Sequence, residues 1–298
     1  MITVSGISKY YGGRSVVDDM SFTVKTGRVT GFVGPNGAGK STTMRMMVGL
    51  TRPSQGEVRY YGVRYTDLRE PARVVGSVLD ARCMHPGRTA RQHLRALAAI
   101  GGIRAARVEE ALDEVGLDPA ADQRAGGFSL GMRQRLALAG ALLGEPEALL
   151  LDEPSNGLDP EGIRWLRTYL GEFARKGGTV FVSSHLIAEL GMFADDLVVV
   201  GGGRLIAALP VAELTGRSEP MVVARTPDPE ALLRLLIEQG HAVELNGGRL
   251  EIRGASRESV ARIAFDHRIH VLELAEVSRS LEDILLDMTA PAAQFTHA

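Results

Sequence analysis

The segment Gly34-Pro35-Asn36-Gly37-Ala38-Gly39-Lys40-Ser41 constrains this chain more than any other part of it. It follows an apolar run, Val29 to Val33, and opens onto a helix-prone stretch, Thr42 to Leu50, so a strand, a glycine-rich loop and a helix N-terminus are expected in that order. In that context the pattern GxxxxGK[ST] builds a phosphate cradle. Successive backbone N–H groups can point inward at phosphate oxygens, Lys40 can reach the β- and γ-phosphates, and Ser41 can offer its hydroxyl to Mg²⁺. Gly34, Asn36, Gly37, Gly39, Lys40, Ser41 and Thr42 are the candidate cradle residues. Lysine is otherwise scarce, occurring only at positions 9, 25, 40 and 176.

A cradle alone leaves kinases, GTPases and many ATPases open. The run Leu149-Leu150-Leu151-Asp152-Glu153 narrows the choice: a buried strand ends in two carboxylates, one suited to hold Mg²⁺ and one free to polarise an attacking water. Adjacent acids at the carboxyl end of a core strand face the crevice where an α/β sheet binds its ligand.

Composition excludes several alternatives. With 34 basic and 36 acidic residues the net charge is −2, which leaves no electrostatic footprint for general nucleic-acid binding. The single cysteine, Cys83, cannot form an internal disulfide, and MITVSGISKYYGG lacks the regions of a secretory signal, so a reducing cytoplasm is expected. The longest apolar candidate, Leu136 to Leu143, is eight residues interrupted by Gly140, far short of a membrane span. Any role at a membrane must come through a partner.

At 298 residues, one large domain plus a smaller one is expected. Strands are read at Ile2 to Val4, Met20 to Val24, Val29 to Val33, Ala148 to Leu151, Thr179 to Val182 and Leu197 to Val200. Short apolar runs alternating with helical segments predict a largely parallel sheet covered on both faces. From about Arg88 to Leu143 the pattern is helical, with Leu94, Leu97 and Ala98 on one face and Val108, Leu112 and Val115 on another, and Met44, Met46 and Met47 read as a packing stripe. The arginines at 88, 91, 95, 104 and 107 read as solvated helix charge, or alternatively as a surface for a membrane partner and anionic headgroups. Trp165 reads as core packing, and Cys83 with His85 lacks the second pair that a zinc site needs.

After Gly216 the order β-α-β-β-α-β is traced by Met221 to Ala224, Pro229 to Gln239, His241 to Leu245, Leu250 to Ile252, Ser256 to His267 and His270 to Leu274. A small ferredoxin-like sandwich fits that order. Ser280 to Met288 reads as a last amphipathic helix, and 290–298 as a frayed tail.

Three further segments carry a family resemblance. Phe128-Ser129-Leu130-Gly131-Met132-Arg133-Gln134 resembles the LSGGQ signature of ATP-binding cassette (ABC) proteins, Asn156-Gly157-Leu158-Asp159-Pro160 resembles their D-loop, and Ser183-Ser184-His185 resembles the switch histidine. The resemblance covers about residues 1 to 216. It implies an α/β, P-loop NTPase (RecA-like) core with an antiparallel β subdomain and a helical subdomain inserted at about 88–145, followed by the small α+β domain at 217–289. The latter resembles the extension on ATPase subunits of drug and antibiotic exporters. It also implies that two cassettes sandwich two ATP molecules, each cradle facing the other chain's signature. On that reading Ser129 and the Gly131 amide bind the γ-phosphate across the interface, Glu153 is the general base, His185 holds the γ-phosphate and water, Asp159 joins the two sites, and Tyr11 stacks on adenine with Tyr10 its rival. The implied partners are a second cassette and a membrane permease coupled through the region from Asp80 to Arg95, with the chain in the cytoplasm, peripheral on the inner face of the cell membrane.

Two departures from the family pattern stand out. Leu130 and Met132 replace a glycine and a glutamine of the signature, and Asp80, in Val75-Gly76-Ser77-Val78-Leu79-Asp80, stands where the Q-loop glutamine is usual. Asp80 either joins the Mg²⁺ shell or is a solvated loop acid. The competing function, a soluble ABC ATPase acting on DNA or ribosomes, fits less well. Lys40 and Ser129 are only 89 residues apart, too close for the long coiled coil of DNA-repair members, and ribosome-acting members usually carry two cassettes.

Overall fold

The computed structural model describes residues 1–80, 84–185, 187–216 and 221–277. Cys83, the predicted helix from Ser280 to Met288 and the tail at 290–298 lie outside the described residues. Contacts divide the chain into two compact units, Met1–Val211 and a second beginning at Ala212.

The first unit opens with β1 (Ile2–Tyr11), β2 (Arg14–Val24), β3 (Val29–Val33), α1 (Lys40–Met47), β4 (Gln55–Tyr60), β5 (Val63–Arg64), α2 (Pro71–Val74) and β6 (Val75–Val78). Helices α3 (Ala90–Ile100), α4 (Ala106–Glu114) and α5 (Leu130–Leu142) follow, then β7 (Ala148–Asp152), α6 (Pro160–Arg175), β8 (Thr179–Ser184), α7 (Ile187–Gly191), β9 (Asp196–Gly201), β10 (Arg204–Pro210) and α8 (Val211–Gly216), the last of these crossing into the second unit. One sheet has the order β10-β9-β3-β8-β7-β6; its strands run parallel except β10, which pairs antiparallel with β9. Every residue of β3, β8 and β9 is buried, as near-continuous apolar strands in a doubly covered parallel sheet must be. A second, antiparallel sheet has the order β2-β1-β4-β5. The aromatic rings of Phe22, Phe32 and Phe181 join the two sheets, with centroids 5.0 to 5.9 Å apart.

The predicted strands are present, and the structure adds β4, β5, β6 and β10. Helix α3 starts at a capping box in which Thr89 and Gln92 satisfy each other's backbone amides. Leu94 and Ala98 are buried as the periodicity predicts, but Leu97 is 38% exposed at the rim of that face. Val108, Leu112 and Val115 are buried, as are Met44, Met46 and Met47. Helix α5 lies directly on β6: a Cβ at Gly76 would overlap the Ala141 carbonyl.

Arg95 and Arg104 are exposed, as the solvated reading expects, whereas Arg91 and above all Arg107 are not. Arg107 is only 4% exposed, and its guanidinium donates to Glu114 at 2.5 Å and to the Leu142 carbonyl at 3.0 Å, tying α4 to the end of α5. Arg91 is bound to Asp122 and Glu109, and Arg104 is bidentate on Glu110 at 2.8 Å. Arg107 is thus held inside the helical block, whereas Arg104 keeps its pair with Glu110 at the exposed surface.

The second unit contains β11 (Met221–Arg225), α9 (Pro229–Glu238), β12 (Ala242–Asn246), β13 (Arg249–Arg253), α10 (Arg257–Asp266) and β14 (Glu273–Val277). Its antiparallel sheet has the order β12-β13-β11-β14, over a core of Val222, Leu232, Leu236, Ile252 and Val260. The last strand begins three residues later than His270. Arg268 turns at φ 52° and the Ile269 amide still bonds to the Ala264 carbonyl of α10, so the chain reaches β11 only at Leu272, whose amide donates to the Arg225 carbonyl at 2.8 Å.

Candidate functional site

The phosphate loop leaves the carboxyl end of β3, flanked by β8 and β9. Gly34 is required there, since a Cβ would overlap the Val200 carbonyl oxygen of β9. Gly37 and Gly39 hold φ of 82° and 95°, which frees the loop amides to turn inward before α1. Lys40, the first residue of α1, is 6% exposed; its Nζ donates to the Gly34 carbonyl at 2.7 Å and lies 3.9 Å from Glu153 Oε1. Burial holds its ammonium below the ordinary lysine value, and the charges of Glu153 and Asp152 pull it part of the way back. Ser41 is exposed beside it and Thr42 half-buried.

One strand intervenes between β3 and β7, and that strand, β8, organises the acids. The fully buried Ser183 hydroxyl donates to Asp152 Oδ1 at 2.5 Å and accepts from the Glu153 amide at 2.9 Å. Glu153 itself holds φ 47°, a left-handed conformation that costs a non-glycine residue about 1–3 kcal/mol and persists where neighbours enforce it. Its Oε2 accepts from Asn156 Nδ2 and lies 3.0 Å from His185 Nδ1. Thus Lys40, Asp152, Glu153 and His185 meet at one crevice, as the sequence places them. Asp80 is exposed just beyond β6, the neighbour of β7.

The remaining candidates lie on helix starts or on the first hairpin. Ser129 caps α5, its Oγ accepting from the Met132 amide at 3.2 Å, which leaves the hydroxyl proton to donate elsewhere. Gly131 sits in the first turn of that helix, where the backbone amides carry partial positive charge. Asp159 caps α6, accepting from the Gly162 amide at 2.8 Å, with Pro160 at the first helical position. Tyr11 is 51% exposed at the end of β1, with Lys9 Nζ 5.0 Å from its ring centre; Tyr10 is 40% exposed. Trp165 packs under the Arg135 guanidinium, 4.1 Å from the ring centre.

Sequence reasoning missed the positioning role of Ser183 and Asn156. Both lie inside segments it had singled out; the available signal was a polar residue closing the otherwise apolar run of β8.

A cradle one strand away from an acid-tipped strand defines a nucleoside triphosphatase of the P-loop class. The chain belongs to the ABC transporter ATP-binding proteins. The family model described as ABC transporter matches residues 17–156, and a second model, described as a domain of unknown function, matches 220–282. The chain is 33% identical over 297 residues to the bacitracin transport ATP-binding protein BcrA of Bacillus licheniformis, covering 97% of each. It is also 33% identical over 292 residues to the uncharacterized ABC transporter ATP-binding protein YhcH of Bacillus subtilis, covering 97% of this chain and 96% of that one. Among solved structures, a dimeric bacterial ABC transporter cassette is 25% identical with a TM-score of 0.65, covering 71% of this chain and 99% of that chain.

Proposed function

We propose that this chain is the ATP-hydrolysing subunit of an exporter, pairing with a second cassette and driving a separate membrane permease that moves a small molecule of the drug or antibiotic kind. The observation that carries this reading is the relationship to the bacitracin transport ATP-binding protein, which runs through both units rather than the cassette alone. Among the described residues no helix is long and apolar enough to cross a membrane. The dimeric cassette of similar fold supports the paired arrangement.

In this reading the loop amides and Lys40 bind the β- and γ-phosphates of ATP, and Tyr11 covers the adenine. Glu153 accepts the proton of the attacking water, with His185 and Asn156 fixing its carboxylate. Ser41 and Asp152 would hold Mg²⁺, with Asp80 at the rim. Among the described residues no group of three or more His, Cys, Asp or Glu side chains could hold a metal, and a hydroxyl with one carboxylate suits an ion that keeps water and phosphate oxygens as ligands. When bound, Mg²⁺ neutralises charge on the phosphate oxygens. Ser129 donates its hydroxyl proton, and Gly131 its amide, to the γ-phosphate held by the partner cassette, and Asp159 lies at the pair's junction.

Glu153→Gln tests the assignment. Turnover is expected to fall by about 10² to 10⁴ with ATP binding retained, and the purified variant should dimerise on adding ATP. Unchanged turnover removes Glu153 from the role; co-purification with ribosomes or DNA instead of a permease would favour the soluble ATPase reading.

A further inference from the structure

The signature departure at Leu130 has a structural counterpart. Leu130 is the first residue of α5, between the two groups proposed to meet the partner's nucleotide, and it is 45% exposed. Its side chain extends to Gly157 in the loop between β7 and α6, so closely that a Cβ at Gly157 would overlap Leu130 Cδ2. Gly157 also holds φ 76°, so the loop presents bare backbone to the leucine. One residue on, the pairing reverses: Leu158 Cδ2 lies 3.4 Å from where a Gly131 Cβ would stand. Further along α5, Arg135 stacks on Trp165 of α6. That loop starts at Glu153, which serves the chain's own nucleotide, and ends at Asp159.

We propose that Leu130 is a positioning residue that clasps the start of α5 to the Glu153–Asp159 loop, so that the half-site offered to the partner's ATP and the base acting on the chain's own ATP shift together. The inference rests on the paired-cassette reading given above. A glycine at position 130, as in the family pattern, has no side chain to reach the loop; the leucine here makes the coupling a property of the chain itself. The clasp joins α5 to the Glu153–Asp159 loop, so its proposed effect is on cooperation between sites rather than on the first binding step.

The test uses the full-length chain in the Glu153→Gln background, following ATP-driven dimerisation by light scattering and binding of a fluorescent ATP analogue to the monomer. Leu130→Ala should raise the ATP concentration for half-dimerisation by about tenfold and lower the Hill coefficient from near 2 towards 1, as expected for losing coupling between two sites. Analogue binding to the monomer should stay within about twofold of the parent, and Leu130→Met, which conserves volume, should restore the parent's curve. Gly157→Ala, which pushes the leucine off from the other side, should act in the same direction and stands in if Leu130→Ala does not fold. A folded Leu130→Ala or Gly157→Ala variant with the parent's midpoint and steepness overturns the clasp alone. A parent that never dimerises with ATP overturns the paired-cassette reading and the clasp together.

Discussion

Ser183→Ala is the most informative single substitution at the acid cluster, because one buried hydroxyl serves both carboxylate-bearing residues. It donates to Asp152 Oδ1 at 2.5 Å and accepts from the Glu153 amide at 2.9 Å, with no exposure to solvent. A hydrogen bond to a charged group contributes about 1.5–3 kcal/mol, and alanine leaves the Glu153 amide without its acceptor, so a net loss near 2 kcal/mol is expected. For a unit of this size that corresponds to a melting temperature lower by about 4–8 °C. The functional effect is larger. Glu153 is held at φ 47°, and releasing its amide lets the backbone relax and swing the carboxylate, a displacement of the kind that costs up to about 10²-fold in rate. Differential scanning fluorimetry and steady-state ATPase assays give both quantities, and ATP affinity measured without turnover should change by less than about twofold. A variant that melts lower yet hydrolyses ATP at the wild-type rate would refute the positioning argument, and wild-type behaviour in both assays would refute the hydrogen-bond reasoning as well.

Arg107→Met should lower stability in urea by about 1–3 kcal/mol, since the Leu142 carbonyl and Glu114 lose their donor, whereas Arg104→Met, at the exposed pair with Glu110, should leave the urea midpoint nearly unchanged. Gly34→Ala should abolish nucleotide binding and destabilise the fold by about 2–3 kcal/mol, because its Cβ meets the Val200 carbonyl; soluble protein with intact ATP binding would contradict the close approach. His93 titrates below the ordinary histidine value because burial, then Arg88, opposes its charged form, and its Nδ1 has no hydrogen-bond partner among the described residues. The unfolded chain therefore binds the proton more tightly, so stability should fall as pH drops from about 7 through the histidine range; His93→Asn should flatten that slope in melts between about pH 5 and 7.

The parts of this molecule that could be read from residues alone are those whose chemistry is local. Gly34 to Ser41 announces its loop because glycine, lysine and serine are each needed at fixed steps from a strand end, and Leu149 to Glu153 announces a buried strand by its unbroken apolar run. The edge strand β10 escaped although Leu205 to Leu209 is apolar, because Ala207 and Ala208 are weak strand formers and the half-buried segment shows no clean alternation. Strand β6 escaped because Gly76 and Ser77 interrupt it, and the reason for the glycine, helix α5 pressed against it, is a tertiary contact. The burial of Arg107 was likewise invisible: its partners Glu114 and Leu142 define the environment, and spacing along a helix says only that an arginine can point outward. Strand β14 starts late because the tie between Ile269 and Ala264 prolongs the preceding turn, a backbone bond that no side-chain pattern encodes.

The unfavourable backbone at Glu153 has a consequence for how this ATPase can change. Any side chain placed there inherits the same twist, so the position penalises β-branched replacements and tolerates glycine, asparagine or aspartate, none of which reaches as far. Natural variation that tempers hydrolysis without dismantling the loop is thus steered to the neighbouring strand β8, where trimming one hydroxyl slackens the twist while no side chain that meets the nucleotide is itself removed.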